Sequence, residues 1–150
     1  MPNLKKNRFT IIPAVYLILE KDSKFLFLKR SNSGYMDGFY QFPAGHLEGG
    51  ETLKQAMIRE AKEEVALDIQ EKDLDLVFTA HRFVEKGVER IDFFFKSAKF
   101  NELEIKNNEP EKCSEIVWLN MNNQKIVPYI KTVLTELQNG KNYIAADFKN

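Results

Sequence analysis

Between Gly45 and Leu67 the chain reads GHLEGGETLKQAMIREAKEEVAL, a glycine-bearing loop running into a helix that projects Glu60, Glu63 and Glu64 from one side. Residues at i, i+3 and i+4 of a helix fall within about one third of its circumference, so the three carboxylates share a small volume. Like charges held that close repel unless a cation joins them. Hard divalent ions such as Mg²⁺ take oxygen ligands, often carboxylates together with substrate phosphates. The stretch therefore points to metal-assisted phosphate chemistry.

Around those carboxylates the neighbouring residues have separate tasks. Thr52 followed by Gln55 fits a capping box, in which each side chain satisfies a backbone N–H at the helix start, so the helix begins near Thr52. Met57, Ile58, Ala61 and Val65 fall on the opposite side and pack against a sheet. Gly45, Gly49 and Gly50 permit a tight loop whose backbone approaches a ligand closely. Arg59 and Glu51 are expected to brace the loop against the helix.

The spacing of Gly45, five residues, Glu51, seven residues, then Arg59-Glu60-Ala61-Lys62-Glu63-Glu64-Val65-Ala66-Leu67 resembles the Nudix box, GX5EX7REUXEEXGU with U apolar. Ala66 is the one departure, where that family usually has glycine. Glycine past a helix end serves as a left-handed cap, and alanine at positive φ costs on the order of 1 kcal/mol, unless the helix runs a residue longer. Either way the expectation is a small loss of stability and an intact site.

The resemblance implies an α/β fold, the Nudix α/β/α sandwich with a mixed β-sheet between helices, and covers about residues 9–138. It implies hydrolysis of a nucleoside diphosphate linked to another group, with Mg²⁺ or Mn²⁺ neutralising the phosphate oxygens. Glu60 and Glu64 are then direct metal ligands, Glu63 joins the metal cluster or acts as base, and the backbone carbonyl of Ala44 completes the metal shell. In this superfamily the base also comes, in some members, from a later loop.

Upstream, Phe25 to Arg30 is a short apolar strand ending in two cations. In MutT-like proteins a basic residue here meets substrate phosphates, and by position that residue is Arg30, whose guanidinium can grip phosphate oxygens bidentately. Tyr35 to Pro43 then lead into the box, with Phe42 assigned to the core and Tyr35 and Phe39 left open between core and base stacking. His46, after the box glycine, is a candidate for substrate contact. Downstream, Asn108 to Glu115 is a charged loop entering the strand Ile116 to Leu119. Its EPEKC segment is similar to segments of small MutT-like nucleotide hydrolases, and Glu111 is a candidate for approaching the metal or the substrate. Trp118 reads as core.

A chain of 150 residues matches one domain and can bury a sizeable core. Twenty-two basic and 22 acidic residues balance, without the basic excess of a nucleic-acid surface. A small phosphorylated substrate is thus favoured over a long polymer. One cysteine, Cys113, excludes an internal disulfide and lacks metal-site spacing, which suits a reducing cytoplasm. Lys5, Lys6 and Arg8 before the apolar run from Phe9 to Leu19 imitate a signal peptide, but Pro13 interrupts the run and no small-residue cleavage pattern follows. Nothing approaches the roughly 18 apolar residues of a membrane span. Instead Ile12, Ala14, Tyr16 and Ile18 against Ile11, Val15, Leu17 and Leu19 read as a strand apolar on both faces.

Leu74 to Val84 and Arg90 to Lys99 flank a turn near Gly87 and predict a hairpin. Pro128 suits a helix first turn, and Ile130, Val133, Leu134 and Leu137 form a stripe that packs on the sheet. The tail 141–150, with Tyr143, Ile144 and Phe148, has two readings, a cover for contact between two copies or a loose end.

The expected activity is that of a cytoplasmic Mg²⁺-dependent hydrolase of nucleoside di- or triphosphates, releasing a nucleoside monophosphate. Within the same chemistry, nucleotide sugars, dinucleoside polyphosphates and capped RNA ends are alternatives. A module that binds a nucleotide or ADP-ribose without cleaving it is another class, disfavoured because such modules often lose box carboxylates.

Overall fold

The computed structural model describes residues 7–148; Lys5, Lys6, Lys149 and Asn150 lie outside them. In chain order the strands are β1 (Ile12–Ile18), β2 (Glu20–Lys21), β3 (Lys24–Arg30), β4 (Tyr40–Gln41), β5 (Ala44–His46), β6 (Leu74–Glu85), β7 (Val88–Ser97), β8 (Cys113–Leu119) and β9 (Tyr143–Ala146). Helix α1 (Leu53–Val65) follows β5, and α2 (Pro128–Gln138) precedes β9.

One sheet has the order β5-β1-β7-β6-β9. It is mixed: β1 runs parallel to β7 and β6 parallel to β9, while β1/β5 and β6/β7 are antiparallel. A second, smaller sheet is built on β3, which pairs with β2, β4 and β8.

Strand β1 explains the layering. Ala14, Tyr16 and Ile18 enter a core with Ile130, Val133 and Leu134 of α2. Val15 and Leu17, with Leu19 just beyond the strand, enter another with Ala56, Met57, Ala61 and Val65 of α1. Side chains alternate along a strand, so an all-apolar strand serves two cores at once and sets a helix on either side. The result is the expected α/β/α sandwich. The two-faced reading fails at its first two residues: Ile11 precedes the strand and Ile12 opens it, and both are exposed because neither core reaches that end of β1.

Phe42 is fully buried and stacks on Phe27, centroids 5.0 Å apart. Truncating such a buried ring costs about 3–5 kcal/mol. Trp118 stacks on Phe100 and packs against the α1 core.

The tail is not a loose end. Residues Tyr143–Ala146 add a parallel strand to the edge of β6, Thr79 opposite Tyr143, and Phe148 lies against the rings of His81 and Phe83.

Candidate functional site

The capping box forms in both directions: Gln55 N–H donates to Thr52 Oγ1 (3.1 Å) and Thr52 N–H to Gln55 Oε1 (2.9 Å). At the other end Ala66 adopts the left-handed cap itself, with φ 63°, and its N–H closes on Lys62 O. The helix does not run on. These ends fix the phase of α1, so the glutamates lie along one flank of its buried Met57 and Ala61 stripe, with Glu64 nearest to it.

Arg59 ties the preceding loop to that helix. Its Nε and Nη2 donate to the two oxygens of Glu51 (3.1 and 2.8 Å), Nη2 also to His46 O (3.0 Å), and Nη1 to Glu60 Oε1 (2.7 Å). Glu51 accepts a further bond from Glu48 N–H. With these donors around it, above all Arg59, the Glu51 carboxyl is held down at about 2.

Glu60, Glu63 and Glu64 line one cavity of about 670 Å³ together with Gly45, Glu109 and Lys112. Gly45 is required there for space rather than for φ: a Cβ at this position would overlap the Glu60 carboxylate. Glu64 Oε1 accepts from Ala44 N–H at 2.9 Å. Burial, and then the charges of Glu60, Glu109 and Glu63, push the Glu64 carboxyl well above its ordinary range, against that one N–H. Glu60 is raised too, first by burial and then by Glu63 and Glu109, with Arg59 opposing.

Among the described residues no three His, Cys, Asp or Glu side chains converge as a preformed chelate. Glu60 is turned to Arg59 and Glu64 to the Ala44 backbone. The donor set is nonetheless five carboxylates lining one cavity, Glu48, Glu60, Glu63, Glu64 and Glu109, whose charges oppose one another, which fits a divalent cation with oxygen ligands.

The other residues singled out from sequence fall as follows. Arg30 lines the same cavity, but its guanidinium is engaged by its own loop, donating to Tyr35 O (2.6 Å), Gln41 Oε1 (2.7 Å) and Ser33 Oγ (3.1 Å). His46 lines it as well, its imidazole held below the ordinary value by burial and then by Arg90. Glu111 is exposed and outside the cavity lining, its carbonyl accepting from Asn32 Nδ2. Glu109, two residues earlier, is the acid of that loop that reaches the cavity, because a turn from Glu109 O to the N–H groups of Lys112 and Cys113 reverses the chain. No periodicity in the loop distinguishes these two glutamates. Lys29 and Lys112 add cations to the lining.

Residues 10–136 match the family described as NUDIX domain. An ADP-ribose pyrophosphatase of Methanocaldococcus jannaschii is 41% identical over 80 residues, 52% of this chain and 47% of that protein. An 8-oxo-dGTP diphosphatase of Proteus vulgaris is 34% identical over 90 residues, 60% of this chain and 79% of that protein. The matched stretch thus spans about half of the archaeal relative. A MutT NUDIX hydrolase structure from Burkholderia pseudomallei superposes with a TM-score of 0.71 at 16% identity, covering 86% of this chain and 97% of that one. A MutT protein structure from Methanosarcina mazei Go1 gives 0.71 at 20% identity, covering 90% and 98%. These two likenesses are of fold.

Proposed function

The chain belongs to the NUDIX family, and we propose that it is a divalent-metal-dependent hydrolase that cleaves the pyrophosphate link of a nucleoside di- or triphosphate, or a related nucleoside diphosphate derivative, releasing a nucleoside monophosphate. One observation carries the reading: Glu60, Glu63, Glu64 and Glu109 line a single cavity together with Lys29 and Lys112. That arrangement suits a substrate that is polyanionic and brings cations with it.

In this reading Glu60, Glu63, Glu64 and the Ala44 carbonyl hold Mg²⁺ or Mn²⁺. Such an ion neutralises phosphate oxygens and acidifies bound water. Lys29 and Lys112 draw the phosphates towards the glutamates, and Arg30, held by its own loop, adds its charge to the lining. A water oxygen forms the new bond to phosphorus, the bridging P–O bond breaks towards the leaving phosphate, and the water proton passes to a carboxylate. Glu63 and Glu109 are the acceptors in this reading: Glu63 takes a long bond from Arg59 Nη1 (3.4 Å), and the Glu109 carboxylate makes no side-chain hydrogen bond among the described residues. The setting is cytoplasmic, supported by a free and buried Cys113. No helix among the described residues is long and apolar enough to cross a membrane.

The names of the relatives, an ADP-ribose pyrophosphatase and an 8-oxo-dGTP diphosphatase, support the reaction class. The test is a panel of nucleoside tri- and diphosphates, nucleotide sugars and ADP-ribose incubated with and without Mg²⁺, products identified by mass. Metal-dependent release of a nucleoside monophosphate is expected. Binding without turnover across the panel would instead identify a nucleotide-sensing module.

A further inference from the structure

Arg30, Gln41, Ala44, Gly45 and His46 line a second cavity, of about 490 Å³, as well as the acidic one. A substrate whose phosphates lie among the glutamates extends its other half across this ridge. The second cavity has walls that suit a flat ring: Ile12, Val84, Val88, Tyr35 and Tyr129.

Its charged groups have an unusual origin. Arg82 and Arg90 are direct cross-strand partners on β6 and β7, a pairing of like charges that is destabilising by itself. Asp92 compensates it from below. This residue is fully buried, and its Oδ2 accepts from Arg82 Nη1 (3.2 Å) and Tyr129 Oη (2.7 Å), while Oδ1 lies 3.7 Å from Arg90 Nε. The Arg82 guanidinium also lies over the Tyr129 ring at 3.8 Å. One carboxylate against two guanidiniums leaves a positive balance.

Asp92 Oδ1 is a buried acceptor without a hydrogen-bond partner, but Asp92 is not part of the cavity lining, where the spare groups of the two arginines are donors. Among the described residues Arg82 Nη2 and Arg90 Nη1 donate no side-chain hydrogen bond within the protein. Gln41 has its Oε1 taken by Arg30, so its amide offers N–H groups to a ligand. A ligand seated here therefore meets donors and needs acceptors.

We propose that this cavity takes the nucleobase and selects a keto base, guanine or uracil, over an amino base, adenine or cytosine, with Arg82 and Arg90 as the specificity-determining residues. Guanine presents O6 and N7, both acceptors, which a guanidinium engages bidentately; adenine presents the N6 amino group where guanine has O6. Uracil O4 and the cytosine N4 amino group differ in the same way. A donor set facing an amino group leaves both sides unpaired. Discrimination of about 10- to 100-fold follows from one such contact. The inference rests on the proposed function for placing the phosphates in the acidic cavity.

Calorimetric binding of GMP, UMP, AMP and CMP without metal tests it, alongside kcat/KM for GTP, UTP, ATP and CTP with Mg²⁺. GMP and UMP are expected to bind about 10- to 100-fold more tightly than AMP and CMP. In Arg90→Gln and Arg82→Gln, checked for folding by circular dichroism, the ratio is expected to collapse towards one. In Arg90→Lys, which keeps the charge but not the planar fork, it is expected to fall as well. AMP or CMP binding as tightly as GMP and UMP overturns the proposal, as does absence of binding by all four. Equal turnover of the four triphosphates overturns base selection alone. A keto preference in binding with no turnover of any nucleotide upholds base selection and overturns the hydrolase.

Discussion

Gly45 and Glu60 compete for one space: the position a Cβ would take on residue 45 is filled by the Glu60 carboxylate. The first glycine of the loop is thus a vacancy that an acidic side chain from the next helix occupies. Since the collision is with the far end of a flexible side chain, Gly45→Ala is expected to leave the fold in place and turn Glu60 out of the cavity. Misplacing a reacting group by about 1 Å can cost 10²-fold in rate, so kcat should fall by about that factor while thermal unfolding shifts little. Full activity in Gly45→Ala would remove the role assigned to this contact.

Arg59 is the clamp between loop and helix, and Glu51 reports on it through pH. The folded-state carboxyl of Glu51 sits at about 2, against 4.5 for the free group, chiefly through its bonds to Arg59. A depressed acid contributes its stabilisation in full above its unfolded value and loses it as pH falls through the folded one. Comparison of urea unfolding for the wild type and Glu51→Gln should therefore show the difference between them shrinking from pH 4.5 towards pH 2 and constant above about pH 5.5. A difference that grows on acidification would contradict the assignment. Arg59→Lys keeps the charge but cannot bridge Glu51, His46 O and Glu60 together, so it should recover only part of the stability lost in Arg59→Gln.

Ala66 carries its left-handed φ of 63° without glycine's freedom. Ala66→Gly should stabilise the protein by about 0.5–1 kcal/mol, about 1–4 °C in Tm for a chain this size, with turnover unchanged. A lower Tm would show that relief of the cap strain is outweighed by entropy lost from the unfolded chain.

What could be read from sequence follows how local each signal is. The start of α1 was legible because a capping box and a 3.6-residue apolar stripe lie within one segment, whereas its end at Ala66 was not, because the residue there lacks the glycine that marks a left-handed cap. The two-faced strand β1 was legible because both of its apolar rows are contiguous. Strand β9 was not, since only a parallel pairing across more than 60 residues, Thr79 to Tyr143, makes Tyr143–Ala146 a strand. The same applies to the site. Glu60, Glu63 and Glu64 share a helix face and could be grouped from spacing alone, whereas Glu109 reaches them through a loop turn. The Arg82–Asp92–Arg90 cluster arises from β6/β7 register, and its meeting with Tyr129 of α2 depends on tertiary packing that no window of sequence displays.

The central claim is that an acidic wall on α1 gathers a divalent cation and makes it serve the breaking of a phosphoanhydride. Initial rates of nucleoside monophosphate release, titrated with Mg²⁺ for the wild type and Glu64→Gln side by side, test it most directly. Glu64→Gln removes one charge and preserves shape and the acceptor for the Ala44 N–H. The account predicts saturable Mg²⁺ dependence in the wild type and a loss of at least about 10²-fold in kcat for the variant. Release that proceeds equally without magnesium, or an undiminished rate in Glu64→Gln, would contradict it.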